Sequence, residues 1–220
     1  MNTLIPLNQP LTPLSRSGCY HAGWKEQFAC PAGWRGALAG HVMAFKNEAI
    51  NRFAVEQLAL APDDQALEIG FGHGRTIALM AEQVTGGLVA GVDLSLTMVM
   101  QAARRNEATI KAGRVELQQG SVSNIPYEYA RFNKVVAVNN YQFWPNPELD
   151  LTEIQRVLKP GGRLILGLRL HSDSHFAMAP GFKEEEVEEI AGLVRWVGFQ
   201  EVRIERRELG RTAVCVVARR

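Results

Sequence analysis

A short glycine-rich stretch constrains the fold of this chain more than any other part of the sequence. Residues 66–77 read ALEIGFGHGRTI, an apolar run that ends at a carboxylate and passes through alternate glycines. Apolar residues then recur at Ile77, Met80, Ala81 and Val84, which is the spacing of one helix face. The stretch therefore predicts a strand, a tight turn and a helix. Alternate glycines permit positive φ and omit the Cβ atoms that would block a ligand, so the turn is predicted to contact one.

A second marker indicates what kind of ligand the turn would contact. The segment 91–95 reads GVDLS, so Asp93 closes the next apolar run. A carboxylate at the end of that strand can accept hydrogen bonds from both hydroxyls of a ribose, and a nucleoside is expected. Dinucleotide-binding folds use the spacing G-x-G-x-x-G, whereas the spacing here is G-x-G-x-G. The turn alone leaves two other functions open: the protein could be a nicotinamide-dependent oxidoreductase or a non-catalytic nucleoside-binding module.

Composition bounds the class of protein. The chain has 220 residues, of which 46% are hydrophobic, enough for one α/β domain with a small extension. A net charge of +1 without a basic tract disfavours nucleic acid as a partner. The cysteines Cys19, Cys30 and Cys215 lie far apart, which argues against a disulfide framework or a metal site and favours a reducing cytoplasm. We expect no signal peptide, because the N-terminal residues lack a basic region followed by a continuous apolar stretch. We expect no membrane span, because no segment approaches about 20 apolar residues.

The order of predicted elements gives the architecture. Residues 1–60 are predicted to form an irregular arm and a helical cap, with Val42, Phe45, Ala49 and Phe53 on one helix face. Residues 61–220 are predicted to form the core, in which strands and helices alternate and the chain ends in a hairpin. This pattern indicates an α/β, doubly wound, mostly parallel sheet with an antiparallel edge. After the first strand, the predicted strands cover 88–92, 114–118, 133–138, 163–168, 199–205 and 212–218.

Taken together, these markers resemble the class I S-adenosylmethionine-dependent methyltransferases, and among them the small-molecule group that includes quinone-biosynthesis enzymes. Four segments carry the resemblance: LEIGFGHG at 67–74, GVDLS at 91–95, FWP at 143–145 and RVLKPGGRL at 156–164. The match covers roughly residues 60–218. It implies a Rossmann-like, seven-stranded sheet whose last strand is antiparallel, and S-adenosyl-L-methionine as cofactor.

The same resemblance implies roles for individual residues. Asp93 would hold the ribose hydroxyls, Glu68 would lie beneath the turn, and Asn139 would lie beside the methionyl end. Ser121 would lie at the edge of the adenine, at a position where the family commonly has an acidic residue. A serine hydroxyl can accept a hydrogen bond there, but without charge assistance. The cofactor-binding set implied in this way is Glu68, Gly70, Phe71, Gly72, Gly74, Asp93, Leu94, Ser121, Val122 and Asn139.

The acceptor side is predicted from polar and aromatic residues in the cap and after the fourth strand. These groups can line a pocket, or they can simply pack the cap against the sheet. His21, His41 and Tyr141 are the candidate catalytic residues, although a lone histidine is also common on surfaces and in cores. Asn140 and Tyr141 lack the neighbouring prolines typical of methyltransferases that modify DNA bases, which disfavours that substrate. The candidate pocket residues are Tyr20, Trp24, Trp34, Asn140, Phe143 and Trp144.

The predicted activity is transfer of a methyl group to a small-molecule acceptor by in-line displacement. The reaction needs alignment of the reacting atoms more than it needs stabilisation of a leaving anion. A general base is required only where the acceptor must lose a proton. The sequence shows no cluster of metal ligands, so metal-assisted methylation is not expected. The pattern predicts neither the identity of the acceptor nor the oligomeric state.

Overall fold

The computed structural model describes residues 48–170, 181–209 and 212–220. Its first element is the helical segment 48–58, here called α1. The remaining elements, in chain order, are β1 (Gln65–Ile69), α2 (Arg75–Gln83), β2 (Leu88–Asp93), α3 (Leu96–Arg105), α4 (Glu107–Lys111), β3 (Val115–Gln119), β4 (Phe132–Val138), a 3₁₀ turn (Tyr141–Phe143), α5 (Pro147–Val157), β5 (Leu158–Arg169), α6 (Glu184–Trp196), β6 (Gln200–Glu208) and β7 (Thr212–Arg219).

The strands form one seven-stranded sheet in the order β3-β2-β1-β4-β5-β7-β6. Strands β1 to β5 pair in parallel, and β7 runs antiparallel to both of its neighbours. The predicted doubly wound sheet with an antiparallel last strand is confirmed. The chain proceeds from β1 to β3 on one side and from β4 onward on the other, so the strand order reverses between β1 and β4. Ligands of open α/β sheets bind in the crevice at the carboxyl ends of the strands at such a point.

Helices cover both faces of the sheet and bury its apolar residues. The helices α1, α2 and α3 pack on one face, and α5 and α6 pack on the other. The buried apolar residues of α1 are Ile50, Phe53, Ala54, Val55 and Leu58, and Asn51 is buried beside them. Ala49, which the sequence pattern placed on the apolar face, is exposed, so this detail of the prediction was wrong. The buried apolar positions lie at i, i+3, i+4, i+5 and i+8 from Ile50, so the buried face is turned away from Ala49.

Two helix starts are fixed by side-chain caps next to the carboxyl edge of the sheet. The Ser95 hydroxyl accepts a hydrogen bond from the Met98 amide at 3.4 Å and begins α3 directly after β2. The Asn146 side chain accepts from the Leu149 amide at 3.3 Å, and Pro147 is the first residue of α5. Each cap supplies an acceptor to an amide that has no partner within its helix. The loops between these strands and helices are thereby held close to the crevice.

Strand β5 is longer than the sequence predicted. It begins at Leu158, and the segment Pro160-Gly161-Gly162 lies inside it rather than before it. The register with β4 shifts between Phe132 and Lys134, and Gly161 has a φ of 74°. Proline and glycine commonly end a strand, but β5 continues through them with an irregular register. Among the described residues, no helix is long and apolar enough to cross a bilayer.

Candidate active site

The glycine turn after β1 contains glycines in three different environments. Gly70, Gly72 and Gly74 all have positive φ, at 69°, 53° and 78°. A Cβ on Gly70 would lie 2.1 Å from Asn140 Nδ2, and one on Gly74 would lie 2.6 Å from Ala102 Cβ. A Cβ on Gly72 would have no neighbour within 4 Å. Gly70 thus admits the Asn140 side chain, Gly74 admits close packing of α3, and Gly72 faces open space.

Asp93 lies at the end of β2 and is bonded to the open glycine. Its Oδ2 accepts a hydrogen bond from the Gly72 amide at 2.8 Å, and its Oδ1 accepts from the Ser95 amide at 2.9 Å. Burial raises the pKa of the Asp93 carboxyl, and the two amide donors oppose that shift. A carboxylate has about four lone-pair sites, so acceptor capacity remains after both amides are bound. That capacity lies beside the space over Gly72.

Glu68 lies near the end of β1, beneath the turn. Burial raises the pKa of its carboxyl to about 8, the nearby Asp93 charge adds to the shift, and hydrogen bonds from the Thr76 hydroxyl and the Ile77 amide oppose it. Its Oε2 is buried without a hydrogen-bond partner. Buried polar atoms are nearly always paired, so an unpaired carboxyl oxygen beside the glycine turn is unusual. With this pKa, Glu68 is mainly protonated at neutral pH and can donate a hydrogen bond.

Two neighbouring carboxamides follow β4 on the other side of the turn. Asn139 has a φ of 51°, and its backbone amide donates a hydrogen bond to the Gly167 carbonyl at 2.8 Å. Asn140 donates from Nδ2 to the Ile69 carbonyl, which holds its side chain over Gly70. Asn139 Nδ2 and Asn140 Oδ1 are buried without partners. The end of β4 therefore offers an unpaired donor and an unpaired acceptor next to the glycine turn.

A third carboxamide, which the sequence did not suggest, stabilises this segment. Gln142 donates from Nε2 to the Asn139 carbonyl at 2.9 Å, and its Oε1 is buried without a partner. Gln142 lies in the 3₁₀ turn between Tyr141 and Phe143, and the sequence there has no helix or strand periodicity from which its role could be predicted. The left-handed conformation of Asn139 is uncommon for a residue other than glycine, and asparagine is among the residues that tolerate it best.

Tyr141, Trp144 and Phe182 form a cluster of rings, here called the aromatic wall, that packs with the core residues of α5 and α6. The Tyr141 ring lies with its centroid 4.9 Å from that of Trp144 and 6.0 Å from that of Phe182. Burial raises the pKa of Tyr141 to about 12, and the charge of Asp150 adds to the shift. Trp144 is buried and its Nε1 has no partner, whereas Phe143 is exposed. Phe182, which the sequence did not indicate, reaches the wall because it bridges to Leu170 at the end of β5.

The remaining predicted cofactor residues lie on both sides of the turn. Val122 is buried and Leu94 is exposed. The Ser121 hydroxyl accepts a hydrogen bond from the Ser123 amide at 3.1 Å. The Phe71 ring is buried under the turn, where it packs against Gly91; a Cβ on Gly91 would lie 2.6 Å from Phe71 Cδ1. Phe71 therefore supports the turn with its side chain from below.

Several predicted residues fall outside the structure. The candidate catalytic residues His21 and His41 and the candidate pocket residues Tyr20, Trp24 and Trp34 lie outside the described residues. Their roles stay predictions. Within the described ranges, no group of three or more His, Cys, Asp or Glu side chains could hold a metal ion.

The strand order, the open glycine and the acid at the end of β2 agree with the class I methyltransferase fold that the resemblance implies. In agreement with this, residues 66–162 match a family described as "Methyltransferase domain". The uncharacterized methyltransferase YdaC of Bacillus subtilis is 29% identical over 185 residues, which is 83% of this chain and 98% of that protein. A demethylmenaquinone methyltransferase of Lactiplantibacillus plantarum is 36% identical over 110 residues, which is half of this chain and 46% of that protein.

A solved structure gives the same fold. The SAM-dependent methyltransferase from Aquifex aeolicus superposes with a TM-score of 0.65 at 20% identity, covering 77% of this chain and 88% of that one. Residues 66–162 of this chain thus match a methyltransferase domain, and the chain has the fold of S-adenosylmethionine-dependent methyltransferases. The residues present fit S-adenosylmethionine, because a Cβ on Gly72 would meet open space and the Gly72 amide is bonded to the Asp93 carboxylate.

Proposed function

We propose that this protein transfers the methyl group of S-adenosylmethionine to a small, partly apolar acceptor by in-line displacement. The observation that carries the proposal is the Asp93–Gly72 hydrogen bond of 2.8 Å, beside a glycine with open space over it. This arrangement supports a ribose at the acid and a ligand against the turn. The Asn140 carboxamide lies over the neighbouring Gly70, and the aromatic residues Tyr141 and Trp144 follow it in the chain.

On the cofactor side, each residue would supply a different interaction. Asp93 would accept hydrogen bonds from the ribose hydroxyls, and Gly72 would let the backbone approach the ligand. The unpaired Nδ2 of Asn139 is a donor suited to a carboxylate, and the protonated Glu68 is a second donor beneath the turn. When bound, the cofactor supplies a methyl group on a positively charged sulfur that leaves as a neutral thioether.

On the acceptor side, the wall of Tyr141, Trp144 and Phe182 would exclude water and hold the acceptor in place. Aromatic faces also attract a cation, by roughly 0.5 to 2 kcal/mol. With its pKa near 12, Tyr141 keeps its proton at neutral pH, so it can donate a hydrogen bond but not accept the proton of an acceptor. The described part of the wall therefore supports positioning of an acceptor that is already nucleophilic.

Charge and similarity both support a small acceptor over a nucleic acid. The exposed Arg206 and Arg207 of edge strand β6 are paired with Glu184 and Glu56. These ion pairs neutralise the arginine charges locally, so the β6 edge of the sheet is poorly suited to bind a phosphate backbone. One relative is, by its name, a demethylmenaquinone methyltransferase, an enzyme that acts on a quinone-type compound. A compound of similar polarity would suit the aromatic wall and its neighbouring carboxamides.

Calorimetry with S-adenosylmethionine, S-adenosylhomocysteine and NAD tests the cofactor part of the proposal. We expect both sulfur nucleosides to bind and NAD not to bind. Tight binding of NAD alone would instead indicate an oxidoreductase.

Transfer itself is tested with a cofactor that carries a labelled methyl group. The label should appear in a small acceptor drawn from a panel of phenols, quinols and amines, and the Gly72→Ala variant serves as the negative control. Binding of the cofactor without transfer to any acceptor, including duplex DNA and transfer RNA, would support a non-catalytic module of the same fold.

A further inference from the structure

Strand β6 forms one edge of the sheet, and no strand of the described ranges lies beyond it. The Leu170 amide donates to the Thr212 carbonyl at 3.3 Å, so even-numbered residues of β7 bond to β5. Consecutive residues of a strand bond to opposite sides, so the odd-numbered residues of β7 bond to β6. Because Cys215 is opposite Glu205, the next residue, Ile204, directs its amide and carbonyl away from β7. Backbone groups at such an edge can pair with another strand.

The regular part of β6 is short and strongly charged. Its pairing with β7 is regular from Arg203 to Glu208, and a register shift separates this stretch from Gln200. Residues 203–208 read RIERRE, so Ile204 is the one uncharged residue of the stretch. Bulges and charges commonly protect an edge strand from unspecific pairing. The β6 edge is therefore suited to a strand whose charges complement its own.

A second copy of β6 has complementary charges when it lies antiparallel and is centred on Ile204. Two identical antiparallel strands are related by a two-fold axis, so one residue lies opposite its own copy. At every other residue of the regular stretch, this would bring two like charges together. With Ile204 at the centre, Arg203 of each copy lies opposite Glu205 of the other. Opposite charges at facing positions of two strands stabilise their pairing.

These two charged side chains are already ordered for the contact. Within the chain, Arg203 Nε donates to Glu205 Oε1 at 2.8 Å, and the side chains are 46% and 41% exposed. In the two-fold arrangement, the four groups form a square in which each charge has two opposite charges beside it and its like charge on the diagonal. Little side-chain entropy is lost on association, because each pair is held in place beforehand.

Helix α6 extends the complementary pattern beside the strand. Arg195 donates to the Val202 carbonyl at 3.3 Å, and Glu188 accepts from Arg206 at 3.5 Å. The two-fold axis at Ile204 places Val202 opposite Arg206 of the second copy. Arg195 of each copy therefore comes close to Glu188 of the other, which adds a pair of opposite charges on each side of the axis.

We propose that the β6 edge is a self-association surface through which two copies of this chain form an antiparallel, two-fold symmetric dimer. The two sheets then join into one across the axis. Because the two β6 strands run antiparallel, the carboxyl edges of the two sheets face opposite directions, and the dimer needs neither cofactor nor acceptor. The inference therefore stands apart from the proposed function. Since the regular stretch is short, the interface lies below the roughly 1,200 Å² of stable complexes, and the dimer is weak.

Sedimentation velocity of the full chain tests the inference. For the wild type, we expect a shift from monomer to dimer as the concentration rises from about 1 to 500 μM. Arg203→Glu and Glu205→Arg should each stay monomeric over that range, because each variant places like charges opposite each other. An equimolar mixture of the two variants should form dimers again, because each charge then faces an opposite one.

A matched control separates this contact from a general effect of charge. Arg104→Glu makes the same change of charge on helix α3, which packs against β2 and β3 at the opposite end of the sheet. It should dimerise like the wild type. Circular dichroism of each variant, compared with the wild type, checks that the fold is kept.

Each contrary outcome would overturn the inference. A wild type that stays monomeric would do so, whether the edge is unpaired or residues 1–47 pair with it instead. Dimers that persist in both single variants would show that another surface holds them. Single variants that stay monomeric when mixed would show that the two charges act only within one chain. None of these outcomes bears on the proposed function, which calorimetry with S-adenosylhomocysteine tests separately.

Discussion

At the scale of single residues, Asp93 both holds the glycine turn and would bind the ligand. Replacing Asp93 by alanine removes the acceptor of the Gly72 and Ser95 amides, and with it the acceptor that we propose for the ribose hydroxyls. We expect Asp93→Ala to weaken binding of S-adenosylhomocysteine by about 2 kcal/mol or more, measured by calorimetry. Asp63→Ala, which changes an exposed acid at the opposite end of β1, is the matched control. An unchanged dissociation constant for Asp93→Ala would remove this residue from the site.

Glu68 gives a prediction about pH. Its pKa is about 8 in the folded protein against an ordinary value of 4.5, so between these values the folded state keeps a proton that the unfolded chain loses. The stabilisation is present in full below pH 4.5 and is lost as the pH rises toward 8. Relative to Glu68→Gln, the wild type should lose on the order of 1 kcal/mol of unfolding free energy per pH unit between about pH 5.5 and 7.5. Urea unfolding of both proteins measures this, and parallel pH profiles would show that Glu68 is ionised when folded.

Tyr141 was a candidate catalytic residue, and its environment predicts a positioning role instead. A phenol with a pKa near 12 is a poor general base at neutral pH. We expect Tyr141→Phe to lower kcat by less than about tenfold and to leave the pH dependence of kcat/KM in place. Loss of one limb of that pH profile in Tyr141→Phe would instead assign proton transfer to the phenol.

At the scale of elements, the glycine turn predicts a separation of stability from binding. Gly72→Ala meets no neighbour, so it should cost only about 1–2 kcal/mol of unfolding free energy for its positive φ, while its Cβ enters the space for the ligand. Gly74→Ala meets Ala102 and should cost about 1–3 kcal/mol more through overpacking. Urea unfolding and calorimetry with S-adenosylhomocysteine on both variants test this. Equal loss of affinity in the two variants would contradict a ligand placed over Gly72.

The elements themselves could be predicted from the sequence where a periodic pattern decides them. The mostly parallel sheet with its antiparallel last strand followed from alternating strands and helices together with the resemblance. The start of β5 could not be predicted, because pairing with β4 carries the strand through Pro160 and Gly161.

The site was predictable only in part. Its acid and its glycines have fixed places in a pattern, but the separate environments of Gly70 and Gly72 depend on Asn140, which is distant in sequence. Phe182 reaches the aromatic wall through the bridge to Leu170, and no local pattern reports such a contact.

At the scale of the whole molecule, an ion pair connects the residue after the glycine turn to helix α1, which precedes the core. Glu48 in α1 accepts two hydrogen bonds from Arg75, at 2.7 and 2.6 Å, and Arg75 begins α2 directly after the turn. A ligand that binds only the folded state should therefore stabilise the molecule as one unit. We expect S-adenosylhomocysteine at a hundred times its dissociation constant to raise the unfolding free energy by about 2.7 kcal/mol, with no effect of NAD. Stabilisation by NAD in thermal unfolding would contradict this.

A crystal structure of the protein grown with S-adenosylhomocysteine tests the central claim most directly. We expect the ribose hydroxyls within hydrogen-bond distance of the Asp93 carboxylate and the nucleoside against the open face of Gly72. A crevice filled by protein side chains, with the nucleoside bound elsewhere or absent, would contradict the claim.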